Sequence, residues 1–393
     1  MSAIGLWYPV YDRSLAWVGV SLETDQSVFV PQNFFDQMSS EALAVDGVEG
    51  KLFFVGADVL GICKQPLQLP FPPSRLVAVL SENFLSADAS MATFRAWHAK
   101  KIRLAVTGLT VPSGLSRDMV AMHVFDGSTI RKSFGEKALL DASRSGAKLF
   151  VYGIGSMETF EWCAKTGFNY FAFGGLDTPE HTGQSKDSSR VSLMRLLSLV
   201  AADADAATME EVFKLEPKLA FELLRLVNSA SFGTSKEITN FGQAIMVLGR
   251  RQLQRWVQLL MFSLRKEGDD RPDILMQRAA ERGRIMELLS KEGGEKTDQE
   301  HAFMTGVFSM LDILMETPLE ELLESVSLPQ PVEDALLERE GRLGALLDLV
   351  CATERRDFAG VQQLLSSLGI APEALSRFQL DAIFWALKVA GTK

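Results

Sequence analysis

KLFVYGIGSMETFEWCAKTGFNYFAFGG, residues 148–175, decides the fold of the first half of this chain. Residues 148–154 are almost wholly apolar, as strands buried on both faces tend to be. Residues 156–166 read as a helix, and NYFAFGG (169–175) returns to an apolar, aromatic strand. A strand, a helix and a second strand in close succession imply parallel pairing, in a sheet that is either open or closed into a barrel.

The same alternation extends back to the start of the chain. Strands are expected at 6–11, 16–22, 52–56, 75–80, 102–108 and 119–125, with helices at 88–101 and 133–146. Residues 176–190 are polar and rich in Gly, Ser, Asp and Thr, which reads as a linker or as a long surface loop. From 191 onward the pattern is helical. In 217–229, Leu219, Leu223, Leu226 and Val227 share one face, opposite Glu222 and Arg225. Further helices are expected at 240–248, 250–265, 272–292, 297–315, 331–338, 342–352, 358–368 and 378–390, with Thr297 or Asp298 as an N-cap. The expected organisation is an α/β domain over 1–175, a linker over 176–190 and an all-helical domain over 191–393.

Composition narrows the function classes. The 393 residues carry a formal net charge of −10, and neither half is basic, which argues against a general nucleic-acid binder. The three cysteines, Cys63, Cys163 and Cys351, are far apart and lack the CxxC spacing of a thiolate metal cluster. No signal peptide and no apolar run of membrane-spanning length is read, so a cytoplasmic protein with no membrane insertion is expected. No phosphate-binding loop, dinucleotide fingerprint or nucleophile elbow is present, and no cofactor is expected.

The order of segments resembles the EAL domain of bacterial signalling proteins. YPVYDRSLAWVGVSLET (8–24) is similar to that family's opening hairpin, and KLFFVGADVL, RLVAVLSENFL, IRLAVTGLT and DMVAMHV to its ligand-bearing strands. The literal Glu41-Ala42-Leu43 follows Ser39-Ser40, reads as a helix start and is set aside as coincidence. The resemblance implies a TIM-like barrel. Because the 24–50 connection is short for the family, that barrel is expected to be abbreviated or distorted, missing a helix or strand.

Aligned this way, the family's chemical positions fall on residues unsuited to it. The motif glutamate becomes Ser21, the asparagine ligand Gly56 and the next glutamate Val79. The aspartate pair becomes Thr107 and Gly108, and the lysine and aspartate Ala121 and His123. The late glutamate becomes Tyr152, its downstream partner Gly155, and the glutamine before the last glycine Ala172. Hydrolysis of a cyclic dinucleotide in this family calls for carboxylates that hold divalent metal, and these residues supply none.

The second half resembles an HDOD domain more closely. LEPKLAFELLRLVNSASFG (215–233) and ITNFGQAIMVLGRRQLQRWVQLL (238–260) carry the family's pattern through Pro217, Leu223, Leu224, Asn228, Ser229, Phe232, Gly233, Ala244, Ile245, Leu248, Gly249 and Leu253. AFMTGVFSMLDIL (302–314) matches the helix that bears the His-Asp pair in catalytic relatives, and that pair falls on Ser309 and Met310. The signature residues read as helix caps, helix ends and core, so they specify fold before reaction.

The expectation is therefore a non-catalytic, non-enzymatic signal-transduction protein. It would act through protein partners in cyclic di-GMP-linked signalling or motility control, with a homodimer compatible with this class. Arg250, Arg251 and Arg255 form a candidate interaction surface. The alternative is a receptor that binds cyclic di-GMP without cleaving it, with Arg13 and Arg75 available for phosphates; such binding is not expected.

Overall fold

The structure, a computed structural model, describes residues 4–25, 50–57, 72–80, 90–112, 115–144, 146–175, 198–199, 208, 255, 257–259, 274–293, 297–315, 317–324, 326 and 328–389. The chain divides into two compact units. The first comprises Met1–Asp177 with Cys351–Gln363 and Ala371–Leu380; the second comprises Thr178–Val350, Leu364–Ile370 and Asp381–Lys393.

Eight strands form the core of the first unit: β1 (Gly5–Tyr11), β2 (Trp17–Thr24), β3 (Leu52–Gly56), β4 (Leu76–Leu80), β5 (Arg103–Thr107), β6 (Val120–Asp126), β7 (Lys148–Ile154) and β8 (Tyr170–Phe173). They close into a barrel in sequence order. β2 to β8 run parallel, and β1 is antiparallel to both of its neighbours, β2 and β8. The β1–β2 reversal is made by Asp12, whose Oδ1 accepts from the Ser14 N–H, the Ser14 hydroxyl and the Ala16 N–H. This side-chain-to-backbone turn is what a short aspartate favours. Every strand expected from the sequence is present, so no strand is missing from the barrel.

Strand pairing fixes which side chains point inward, because residues opposite each other share a face. The rings of Phe54 on β3 and Phe150 on β7 lie 4.7 Å apart, and Phe54 lies 5.9 Å from Tyr170 on β8. These strands are not neighbours of β3, so the rings meet across the lumen. Following the register from Phe54 places Ser21, Tyr8, Val124, Phe150 and Tyr170 inside. Large, fully buried side chains of this unit include Trp7, Phe53, Phe125 and Phe171. Burying each contributes roughly 1.5–3 kcal/mol.

Helices cover the outside. α1 (Ser90–Ala99) precedes β5, α2 (Ile130–Ser133) and α3 (Glu136–Arg144) join β6 to β7, and α4 (Met157–Lys165) joins β7 to β8. α4 is started by Ser156, whose hydroxyl accepts from the Thr159 N–H at 3.2 Å, and it buries Phe160 against Phe171, ring centres 4.8 Å apart. Between β5 and β6 the helical element among the described residues is a single 3-10 turn, Arg117–Met119.

The described remainder is helical: α5 (Ile274–Leu289), α6 (Gln299–Phe308), α7 (Leu311–Met315), α8 (Leu319–Leu323), α9 (Gln330–Leu337), α10 (Gly341–Glu354), α11 (Phe358–Leu368) and α12 (Pro372–Val389). Asp298 caps α6 as expected, accepting from the Glu300 and His301 N–H groups. α5 and α6 approach so closely that a Cβ on Gly306 would stand 2.7 Å from the Gly283 Cα. The helices expected at 217–229, 240–248 and 250–265, and with them the HDOD signature residues 217–253, lie outside or almost outside the described residues. Among the described residues no helix is long and apolar enough to cross a membrane.

Candidate functional site

A barrel of parallel strands presents its functional groups at the strands' C-terminal ends, where loops converge on an open mouth. Here that rim is made by the ends of β2, β3, β5, β6, β7 and β8. Glu23 lies one inward-facing position above Ser21, since Leu6 pairs with Glu23 and Tyr8 with Ser21. Asp126 pairs with Tyr152, on the same face as Val124 and Phe150. Two carboxylates and a phenol therefore share the rim with a guanidinium that arrives from far along the chain. Arg356 donates from Nε and Nη2 to the Glu23 carboxylate at 2.7 and 3.0 Å. It also sits 4.0 Å from the Tyr8 ring centre and 5.4 Å from that of Tyr152.

The electrostatics follow from this packing. Burial is the largest single influence and works against the Arg356 charge, but the Glu23 carboxylate, Tyr8 and Tyr152 together outweigh it, so its pKa rises above the ordinary arginine value. The Tyr152 phenol is pushed up to about 12, first by burial and then by the Asp126 and Glu23 carboxylates. At neutral pH Tyr152 is thus a firmly protonated group beside an occupied ion pair. Asp126 is committed locally, its Oδ1 accepting from the Ser128 N–H and hydroxyl.

The positions singled out in the sequence are only partly brought together. Ser21, Gly56 and Thr107 share the inner face, and Val79 is the register partner of Gly56. The Thr107 hydroxyl donates to the Leu80 carbonyl. Gly108 takes a positive φ of 74° and its carbonyl accepts a 2.7 Å bond from His123 Nδ1, which therefore carries the proton. His123 and Ala121 face away from the lumen. The β5–β6 register shifts by one residue at Ala121, so Met122, Val124 and Asp126 turn inward instead. Ala121 and His123 line an outer cleft of about 980 Å³ beside Leu109, Pro112 and Asp141. Gly155 stands between β7 and the cap of α4. Arg13 and Arg75 are at the opposite end of the barrel: Arg13 donates to the Phe168 carbonyl ahead of β8, and Arg75 to the Lys51 carbonyl ahead of β3.

Sequence reading missed Glu23 and Asp126. Glu23 was recoverable from the period of two, counting outward from Ser21; Asp126 was not, because the register shift at Ala121 reverses which residues of β6 face inward. Arg356 carried no such signal, because it meets Glu23 across 333 positions.

In the second unit Ser309 ends α6, and its hydroxyl receives a 2.8 Å bond from Arg282 Nη1. Met310 is buried beside it. Arg255 is 13% exposed and pairs with Glu287 at 2.7 Å and Glu300 at 2.9 Å; Arg250 and Arg251 lie outside the described residues.

The EAL resemblance implies a divalent metal. Among the described residues no group of three or more His, Cys, Asp or Glu could hold one, and the Glu23 carboxylate already grips a guanidinium. The described residues do not fit the ion.

Comparison with known proteins places an HDOD domain in the second half: residues 189–327 match the HDOD domain family model. Among curated proteins, the chain is 31% identical over 247 residues to the cyclic di-GMP phosphodiesterase CdgJ of Vibrio cholerae, covering 62% of this chain and 57% of that one. It is 25% identical over 184 residues to the uncharacterized protein YuxH of Bacillus subtilis, covering 47% and 44%. The chain thus spans about half the length of the curated relatives it matches. Solved structures resemble it distantly. They include Klebsiella pneumoniae BlrP1 in a calcium and cyclic di-GMP complex (11% identity, 44% of this chain and 54% of that one, TM-score 0.33). A second is a putative phosphohydrolase from Shewanella amazonensis (17%, 52% and 93%, TM-score 0.38).

The expectation of a non-catalytic chain, and of no enzyme, is corrected by the first of these relatives. A protein 31% identical over 62% of this chain is a named phosphodiesterase.

Proposed function

We propose that this chain is an enzyme of cyclic di-GMP turnover, acting as a phosphodiesterase at the C-terminal mouth of its barrel. The observation that carries the reading is the 31% identity to a cyclic di-GMP phosphodiesterase, together with a closed eight-stranded barrel whose rim bears Glu23, Asp126 and Tyr152. The expectation against cyclic di-GMP binding is given up with it. Further acids for such a reaction stand in sequence just past two strand ends, Asp58 after β3 and Glu82 after β4, both outside the described residues.

The short connection between β2 and β3 is where the barrel is abbreviated in this reading, and the boundary between domains lies within 176–190. A cytoplasmic location, a protein partner and a homodimer belong to the same proposal; light scattering on the purified chain tests the last. The activity test is incubation of the full chain with cyclic di-GMP and Mn²⁺, with the linear dinucleotide followed by chromatography. Product is expected, and it is expected to be lost in Asp58→Asn and Glu82→Gln. Intact substrate after incubation with the folded wild-type chain overturns the proposal.

A further inference from the structure

Arg356 is held in the barrel mouth by a turn that no ordinary preference explains. Helix α10 ends with two bonds of the Schellman type: the Asp357 N–H donates to the Ala352 carbonyl and the Arg356 N–H to the Thr353 carbonyl. That places Arg356 at the position where the backbone turns left-handed, and its φ is +60°. Glycine takes this conformation freely, whereas a long side chain there is strained. The strain is retained along with a side chain that reaches into the rim.

Four strands receive it. Glu23 on β2 binds the guanidinium through two parallel bonds, the geometry that makes arginine–carboxylate pairs both strong and directional. Tyr8 on β1 lies under its face, and Tyr152 on β7 lies beside it. Nη1 comes within 3.1 Å of where a Cβ on Gly174 would stand, just after β8, and within 3.7 Å of that on Gly153. Bulkier residues at 153 and 174 would crowd the cation. The Tyr8 hydroxyl ties down the same turn by donating to the Thr353 carbonyl at 2.8 Å. The inward-facing Ser21, one position below Glu23 and paired with Tyr8, is 5% exposed beneath this cover.

We infer that Arg356 is a built-in stopper: an autoinhibitory cation that closes the barrel mouth on Glu23, Tyr8 and Tyr152 and must withdraw before a ligand enters. As a statement about regulation of cyclic di-GMP turnover, this rests on the proposed function; as a statement about closure, it does not. The segment that carries the stopper, Cys351–Gln363, is continuous along the chain with Val350 and Leu364 of the second unit. A change in that unit can therefore reach the stopper through the backbone.

The test uses the full chain with Ser21→Cys in a background of Cys63→Ser and Cys351→Ser. Arg356→Gly removes the stopper and suits the left-handed turn, so the fold is retained. The rate at which a small reagent labels the thiol introduced at position 21 is expected to rise at least tenfold in Arg356→Gly, with Arg356→Lys in between. Should Arg356→Gly lose its circular dichroism signature, Glu23→Gln decides by the same readout, since it weakens the clamp without removing volume. An unchanged labelling rate in the folded variant overturns the stopper. In parallel, calorimetry with cyclic di-GMP is expected to show at least tenfold tighter binding by Arg356→Gly than by wild type. Faster labelling with no binding by either chain removes the substrate reading and leaves the stopper standing; tighter binding by wild type overturns its autoinhibitory role.

Discussion

Tyr152 links the rim to a measurable property of the whole chain. Its phenol ionises near 10 when unfolded and is pushed up to about 12 in the fold by burial and by the two nearby carboxylates. The unfolded state therefore releases this proton first as pH rises. The stability that neutral Tyr152 contributes is fully present below pH 10 and is lost as pH climbs from 10 towards 12. Urea midpoints measured across that window should fall more steeply for wild type than for Tyr152→Phe, and parallel slopes would show that the phenol is not so placed. At this scale the sequence was legible where alternation could be counted: Ser21, Gly56 and Thr107 do face the lumen. It was illegible at Ala121, where a one-residue register shift turns His123 outward and Asp126 inward. A bulge leaves no mark in a run of apolar residues, yet it moves every later side chain to the other face.

Elements depend on close approaches as well as on pattern. Strands β1, β4 and β8 were readable because each is a short apolar run that is almost wholly buried. Helix α6 was readable with its cap because Asp298 precedes a periodic stretch. What pattern did not show is that α5 and α6 touch backbone to backbone, with a Cβ on Gly306 set to meet the Gly283 Cα at 2.7 Å and the Arg282 carbonyl at 2.8 Å. Even a methyl group at 306 must push the helices apart. Gly306→Ala should cost about 1–3 kcal/mol, seen as a lower melting temperature of roughly 2–4 °C per kcal/mol. A melting temperature equal to wild type would mean the helices are not packed this closely.

At the scale of the whole molecule, the first unit is assembled from three stretches of chain, and the last two follow α-helical sequence that reads as part of another domain. Trp7 on β1 donates from Nε1 to the Ser376 hydroxyl at 3.0 Å and from its backbone N–H to Gln379 Oε1 at 3.2 Å. Polar partners so far apart along the chain leave no periodic trace, which is why this closure was not legible. Buried donors deprived of such partners are costly. A fragment of residues 1–190 should accordingly show amide exchange in β1 at least tenfold faster than the full chain, and equal protection would mean the barrel stands without its C-terminal pieces. We propose that this barrel turns over cyclic di-GMP at a mouth that Arg356 holds shut. The rate of cyclic di-GMP cleavage by the intact chain, compared between wild type and Arg356→Gly, tests it most directly. A measurable rate that rises at least tenfold in the variant is the predicted result; no cleavage by either protein would contradict it.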